Sequence, residues 1–294
     1  MVLHGTGRAA AHLAAAICGA GLDEELELLV CGRRPAAARR LAARHGGRAI
    51  HERDTELASL GARDTLLLCV SDRALGAVAE GLAGRLGRSR AVVLHLSGAR
   101  DASVLAPLAE VGCPTGGLHP LVALADRGHG RSLQGRWFAA TGKTTAQRRA
   151  RRLAHSLGGR VLGLADGASR ARYHAAASLV SGGIVVLLEE ARRLLAPELA
   201  RPEDAGPALR GLASSVLENL GGSPPEAALT GPVARADRST VEAHLEALEG
   251  EARSTTSRLY RELSVAMSHL ARLGEQERRV LLELLAGGDG ESPA

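Results

Sequence analysis

Met1-Val2-Leu3-His4-Gly5-Thr6-Gly7-Arg8-Ala9-Ala10 opens the chain: an apolar run, a G-x-G-x-x-A, and the start of an alanine-rich stretch with helical periodicity. Each small residue in such a segment has its own task. Gly5 permits a tight turn at the end of a strand, and Gly7 lets the backbone approach a pyrophosphate. Ala10 lets helix and strand pack closely, while the helix N-terminus turns its free N–H groups toward the phosphates. With 36 glycines in the chain the pattern alone arises easily by chance. Its position between a strand and a helix gives it meaning. Gly5, Thr6, Gly7, Arg8 and Ala10 are therefore candidate dinucleotide contacts, a purely structural turn being the alternative. Only four residues precede Gly5, fewer than an average strand, so either the strand is short or the natural start lies upstream.

Moving outward, short apolar runs alternate with Ala/Leu-rich helical stretches. Strands are expected at 26–31, 65–70, 91–96, 137–141 and 161–164, and helices at 7–21, 35–45, 72–86 and 145–157. The run Thr65-Leu66-Leu67-Leu68-Cys69-Val70 is continuously apolar, as for a strand buried on both faces. Such alternation implies a parallel sheet covered by helices on both faces. From residue 166 onward only helical patterns remain, at 168–195, 207–220, 239–248, 253–273 and 275–285. Leu259, Leu263, Met267 and Leu270 recur at helical spacing as one apolar face. The expectation is an α/β chain: an N-terminal doubly wound parallel Rossmann sheet over 1–165, then an all-α domain over 166–294, with 287–294 a loose tail.

The expected second strand ends in Cys31-Gly32-Arg33-Arg34. A site for NAD usually places Asp or Glu there to bind the ribose 2′-hydroxyl. Here two arginines stand instead, and a guanidinium can pair with a 2′-phosphate through forked, charged hydrogen bonds. Arg33 and Arg34 thus favour NADP, unless both are merely exposed. Ligands of such sheets bind outside the carboxyl ends of the strands. That adds Val70 and Asp72, from Val70-Ser71-Asp72, and Ser97, from His95-Leu96-Ser97-Gly98. For Asp72, a helix N-cap is the alternative role.

Composition narrows the classes. Hydrophobic residues make up 45% of the 294, enough for a sizeable core in two domains. The net charge is +5, yet the arginine pairs are scattered along the chain, and Trp137, Phe138, Tyr173 and Tyr260 are the only aromatics. Nucleic-acid binding, which needs a concentrated basic face or stacking rings, is not expected. Cys18, Cys31, Cys69 and Cys113 form no C-x-x-C pair, so neither zinc nor a disulfide framework is expected; the first three read as core residues. No cleavable leader and no apolar run long enough to span a bilayer is read, and a cytoplasmic location without membrane contact is the expectation.

Four segments occur in order: His95-Leu96-Ser97-Gly98-Ala99, Gly117-Leu118-His119-Pro120-Leu121, Tyr173-His174-Ala175-Ala176, and Leu229-Thr230-Gly231-Pro232-Val233-Ala234-Arg235. Together they resemble a bacterial family with a Rossmann-like domain followed by a helical domain of unknown function. That family looks like a branch of the group containing phosphogluconate dehydrogenase, pyrroline-carboxylate reductase and ketopantoate reductase. The resemblance implies a helical C-terminal domain, a homodimer formed through it, an active site between the domains, and reduction of a small oxo-acid such as ketopantoate. Two departures stand out. Tyr-His-Ala-Ala commonly continues to Ser-Asn, where this chain has Ser181-Gly182. The larger group often uses a lysine on the first long helix as an acid, whereas Lys143 is the sole lysine here.

Carbonyl reduction with NADPH also needs a proton donor. His174, on the first long helix beside Tyr173, is the leading candidate; a helix-packing histidine is the alternative. His119 precedes Pro120, which biases it to extended backbone, where it touches substrate or shapes a loop. Ser97 can donate to the nicotinamide or the substrate. Ser178 lies one turn beyond His174 on the same face. Arg235 can bind a substrate carboxylate or pair with Asp237. His4, His12, His51, His129 and His269 show no metal spacing, and no metal is expected. The departures keep two other functions open: a non-catalytic dinucleotide-binding or sensor protein, and a scaffold with a degenerate Rossmann domain.

Overall fold

The computed structural model describes residues 1–22, 26–51, 54–87, 89–125, 133–165, 167–248 and 255–287. The chain divides into two compact units, Met1–Ser181 and Gly182–Ala294.

The first unit is built on one eight-stranded sheet. Its strands are β1 (Val2–His4), β2 (Leu29–Cys31), β3 (Arg48–Ala49), β4 (Thr65–Leu68), β5 (Val92–His95), β6 (Thr115–Pro120), β7 (Trp137–Gly142) and β8 (Arg160–Leu162). They lie in the order β3-β2-β1-β4-β5-β6-β7-β8. The first six are parallel in the 3-2-1-4-5-6 order of a dinucleotide-binding sheet. β7 runs antiparallel to β6, and β8 is parallel to β7. The wholly parallel sheet expected from the alternation therefore needs correction at one edge. Residue patterning reports burial and period, not strand direction.

The helices of this unit are α1 (Arg8–Gly19), α2 (Pro35–Arg44), α3 (Thr55–Ala58), α4 (Leu75–Leu86), α5 (Ala106–Glu110) and α6 (Thr144–Ser156). Strand residues alternate between two cores, as the period of two requires. Leu3, Val30, Leu67 and Leu94 pack with α1, α2 and α6. Val2, Leu29, Leu66, Leu68 and Val93 pack with α3, α4 and α5. Both faces are thus covered, which is why the strands read as continuous apolar runs. Cys31, Cys69 and Cys113 are buried, Cys18 is half-buried, and none of the four is in a disulfide.

α7 (Arg170–Leu195) crosses from the first unit into the second. The division falls sixteen residues beyond the expected boundary at 165, because the first turns of α7 pack with the sheet unit. α7 and the turn after it, Arg170–Glu198, form one helical stretch long and apolar enough, by length and composition, to cross a membrane. This corrects the sequence expectation that no such run exists. The first turn of the stretch is tied to the sheet unit by Arg170 and Tyr173, an attachment that burial of that turn in lipid would break.

The second unit continues with α8 (Ala205–Gly222), α9 (Pro225–Ala228), α10 (Arg238–Ala247), α11 (Thr255–Leu270) and α12 (Glu275–Ala286). Val233, Val241, Leu245, Leu281 and Leu285 form its core. The apolar face expected on α11 is kept in part: Leu259, Leu263 and Met267 are half-buried, Met267 against this core, whereas Leu270 is 44% exposed. The fully buried residues of α11 are the small Thr256, Ser257, Ser264 and Ser268. Residues 253–254, the start of the expected helix, and most of the expected tail lie outside the described residues.

Candidate functional site

The strand order reverses between β1 and β4, and a cavity of about 340 Å³ lies there, at the carboxyl ends of both strands. Gly5, Thr6, Gly7, Arg33, Arg34 and Val70 line it, as do His4, Gly32, Cys69 and Ser71; Ala74 and, from α4, Ala77 and Val78 close one side. Gly5 has φ +130°, and a Cβ there would lie 2.3 Å from the Cys69 carbonyl oxygen, so no other residue fits this turn. Gly7 caps α1 with no side-chain cap, and open space surrounds the place its Cβ would occupy. The first N–H groups of α1 are thus left to a ligand. Arg33 and Arg34 are exposed at the rim. Neither side chain makes a hydrogen bond or ion pair among the described residues.

Four residues expected at this site stand elsewhere. Arg8 heads α1 but does not line the cavity. Ala10 is buried in the core with Leu3, the packing role its small size serves. Asp72 also stays off the cavity wall, and it is not a helix cap: it is the first residue of the turn Asp72–Ala74, which Ser71 precedes as N-cap without a side-chain bond. Ser97 lies past the end of β5, and its Oγ accepts from the Ala99 and Arg100 N–H groups, fixing that turn.

Ser97 belongs to a second cluster, where the ends of β5, β6 and β7 meet the start of α7. His95 ends β5 and pairs with Gly117 of β6, which in turn pairs with Thr141 of β7. A Cβ on Gly117 would lie 2.8 Å from Thr141 Oγ1 and 2.9 Å from His95 Cε1, so this glycine admits both side chains. Gly98 does the same for two other rings: its Cβ would lie 2.6 Å from His174 Nδ1 and 2.8 Å from His119 Nε2. His119 Nδ1 is 2.7 Å from the Tyr173 hydroxyl, and the His119 and His174 rings meet edge-on at 6.0 Å. Arg170 donates from Nη2 to the Ser97 carbonyl at 3.3 Å and lies 4.7 Å over the Tyr173 ring.

This cluster favours uncharged histidine. Burial, followed by the Arg170 charge, pushes His95 down to about 4. The same two causes, then His174, bring His119 to about 4. Asp72 opposes both shifts, so it is felt here rather than in the cavity. Neither ring nitrogen of the wholly buried His95 makes a hydrogen bond, although the Asp101 backbone is near enough to favour its protonated form. Thr141 Oγ1 and His174 Nδ1 are buried without partners as well. No group of three His, Cys, Asp or Glu side chains among the described residues is arranged to hold a metal ion.

The structure therefore brings together Ser97, His119 and His174, with His95, Arg170 and Tyr173 joining them. Ser178, one turn along α7, is exposed and makes no hydrogen bond among the described residues. Arg235 is exposed on a turn of the second unit. It forms no ion pair with Asp237, whose carboxylate is held low mainly by capping Thr240.

Residues 6–120 match the Rossmann-like domain model and residues 136–267 match the domain of unknown function DUF2520. The chain joins a Rossmann-like domain to a DUF2520 domain. The DUF2520 match begins at β7, so it spans part of the sheet as well as helices. No curated protein matches the sequence significantly. Among solved structures, TM1727 from Thermotoga maritima is 22% identical with a TM-score of 0.67, covering 95% of this chain and 99% of its own. BF3122 from Bacteroides fragilis, a candidate NADP oxidoreductase, is 22% identical with a TM-score of 0.70 over 91% of this chain and 97% of its own. Pyrroline carboxylate reductase from Plasmodium falciparum, with NADP bound, is 11% identical with a TM-score of 0.56 over 99% of this chain and 100% of its own. At these identities the likeness is one of fold.

Proposed function

We propose that the protein is an NADP-dependent oxidoreductase that reduces a small oxo-acid, with ketopantoate the first substrate to test. The cavity at the strand-order reversal carries this reading: a glycine turn that tolerates no Cβ, an uncapped helix start, and two arginines where an NAD site has an acid. Gly5, Thr6 and Gly7 would hold the pyrophosphate, and Arg33 and Arg34 the 2′-phosphate. The descriptions of BF3122 and of the Plasmodium reductase agree with that choice of cofactor. When bound, NADPH supplies the reducing equivalent for the carbonyl.

The histidine cluster supplies the rest. With the Tyr173 phenol donating to His119 Nδ1, the His119 ring proton sits on Nε2, packed close over Gly98. His119 is then a neutral hydrogen-bond donor to the carbonyl oxygen. His174, packed over the same glycine, gives the proton that completes the alcohol. Ser97 shapes the turn that presents Gly98. His174→Ala tests the assignment: turnover should fall by about 100-fold or more, with NADPH affinity within about twofold of wild type. Small, equal losses in both would remove His174 from the mechanism.

A sensor that binds NADPH without turnover is the second reading. It is favoured by the absence of lysine from α7 and by Gly182, where a side chain would meet only open space. NADPH binding without oxidation by ketopantoate or other small oxo-acids would support it. We further propose a cytoplasmic homodimer formed through the C-terminal helices. Val185 and Val186 of α7 and Leu212, Val216 and Leu217 of α8 are all 46% to 66% exposed, more apolar surface than a monomer usually leaves to water.

A further inference from the structure

We infer that Arg170 is the anion-recognising residue of this site: it takes the carboxylate of a small monoanionic substrate and so selects oxo-acids over uncharged carbonyl compounds. The inference rests on the oxidoreductase reading and assigns the residue that sets its substrate class.

Arg170 is the first residue of α7 and belongs to the same compact unit as β5 and β6. Its guanidinium is fixed by the Ser97 carbonyl at one nitrogen and by the Tyr173 ring beneath it. Nε and Nη1 are buried and have no hydrogen-bond partner among the described residues. Among the described residues no carboxylate lies within ion-pair distance of it. The nearby Asp101 is engaged in capping Ser103. A partly buried guanidinium with neither a counter-ion nor partners for two of its nitrogens is a costly arrangement for a resting protein. A carboxylate supplies the counter-ion and, along the Nε/Nη2 or the Nη1/Nη2 edge of the planar guanidinium, a partner for one of those two nitrogens.

The surroundings set the charge of the ligand. His95 and His119 are held neutral by burial and by Arg170 itself, so neither adds a charge beside the permanent one of Arg170. His174 Nδ1, beside Gly98, and Thr141 Oγ1, beside Gly117, are buried without a hydrogen-bond partner among the described residues, which adds polar groups for an oxo or hydroxyl group next to the acid. Arg235, the carboxylate ligand expected from sequence, is exposed on the second unit and lacks comparable fixation.

The test compares 2-oxobutanoate with its uncharged amide, binding each to the NADPH-loaded protein by ligand-observed NMR. Wild type should prefer the acid, and Arg170→Met should weaken the acid about tenfold or more while changing the amide by less than about twofold. NADPH affinity, set at Gly5, Arg33 and Arg34, should be unchanged. Arg170→Lys keeps the charge without the fork and should also weaken the acid, which preserves the test if the methionine variant does not fold. Equal binding of acid and amide by wild type, or acid binding indifferent to both substitutions, overturns the inference. The two readings fail separately. Acid bound through Arg170 without NADPH oxidation sinks the reductase and leaves Arg170. Oxidation that proceeds equally in Arg170→Met does the reverse.

Discussion

At the scale of single residues, the opening turn has the least freedom. Gly5 combines a positive φ with a Cβ position overlapping the Cys69 carbonyl. Gly5→Ala should therefore cost about 3 kcal/mol, visible as a lowered thermal midpoint, and abolish dinucleotide binding. Arg33→Ala with Arg34→Ala should weaken NADPH by about tenfold or more and NADH by less than about threefold, since only the 2′-phosphate distinguishes them; unchanged discrimination would discard the phosphate clamp. The histidines predict a pH dependence. His95 is lowered to about 4 in the folded protein against 6.5 when free, so between those values the unfolded chain binds the extra proton. Stability is full above pH 6.5 and is lost as pH falls toward 4, with a slope of up to about 1.4 kcal/mol per unit. Denaturant titrations should show this fall, and His95→Gln should flatten it. Gly5, Gly7, Arg33 and Arg34 were legible because their meaning lies in local order along the chain. His95 was not, because a histidine ending an apolar strand looks like any core residue. Its partners Gly117 and Thr141 come from strands far away in sequence. Arg170 was hidden among many arginines, and only its unpartnered nitrogens distinguish it.

At the scale of elements, most helices and strands followed from period and punctuation. α2 begins at the proline that the sequence marks as a helix start, and α4 follows a short turn rather than running from Asp72. α11 follows its leucine spacing in part: Leu259, Leu263 and Met267 are half-buried and Leu270 is exposed, while Ser264 and Ser268 are the more deeply buried, since hydrophobic period identifies a helix more reliably than it identifies which residues pack deepest. α7 carries the element-scale prediction. Val185 is 66% exposed, so Val185→Glu should leave stability within about 0.5 kcal/mol of wild type if that surface faces water. If the surface joins two copies, the same substitution should convert a dimer to a monomer in sedimentation experiments. A wild-type monomer would remove the dimer proposal.

At the scale of the whole molecule, the order of the first six strands places the crevice, and the two added strands extend the sheet beyond it. Of the first six strands, β1, β2, β4 and β5 were readable from alternation; β3 and β6 were not, because Arg48–Ala49 is only two residues long and Thr115–Pro120 is glycine-rich rather than a continuous apolar run. The reversal at β7 was not, because a strand reads the same in either direction. The division inside α7 falls at Gly182-Gly183, the one interruption the sequence shows in the helical stretch 168–195; what the sequence hides is that the first turns of α7, through Arg170 and Tyr173, are attached to the sheet unit.

The most direct measurement is a side-by-side equilibrium titration of the full chain with NADPH and NADH, followed by ketopantoate in the same cuvette. Saturable NADPH binding at least about tenfold tighter than NADH, with oxidation when the oxo-acid is added, is the predicted result. Equal affinities, or no binding of either nucleotide, would contradict the assignment of the cavity at Gly5, Arg33 and Arg34.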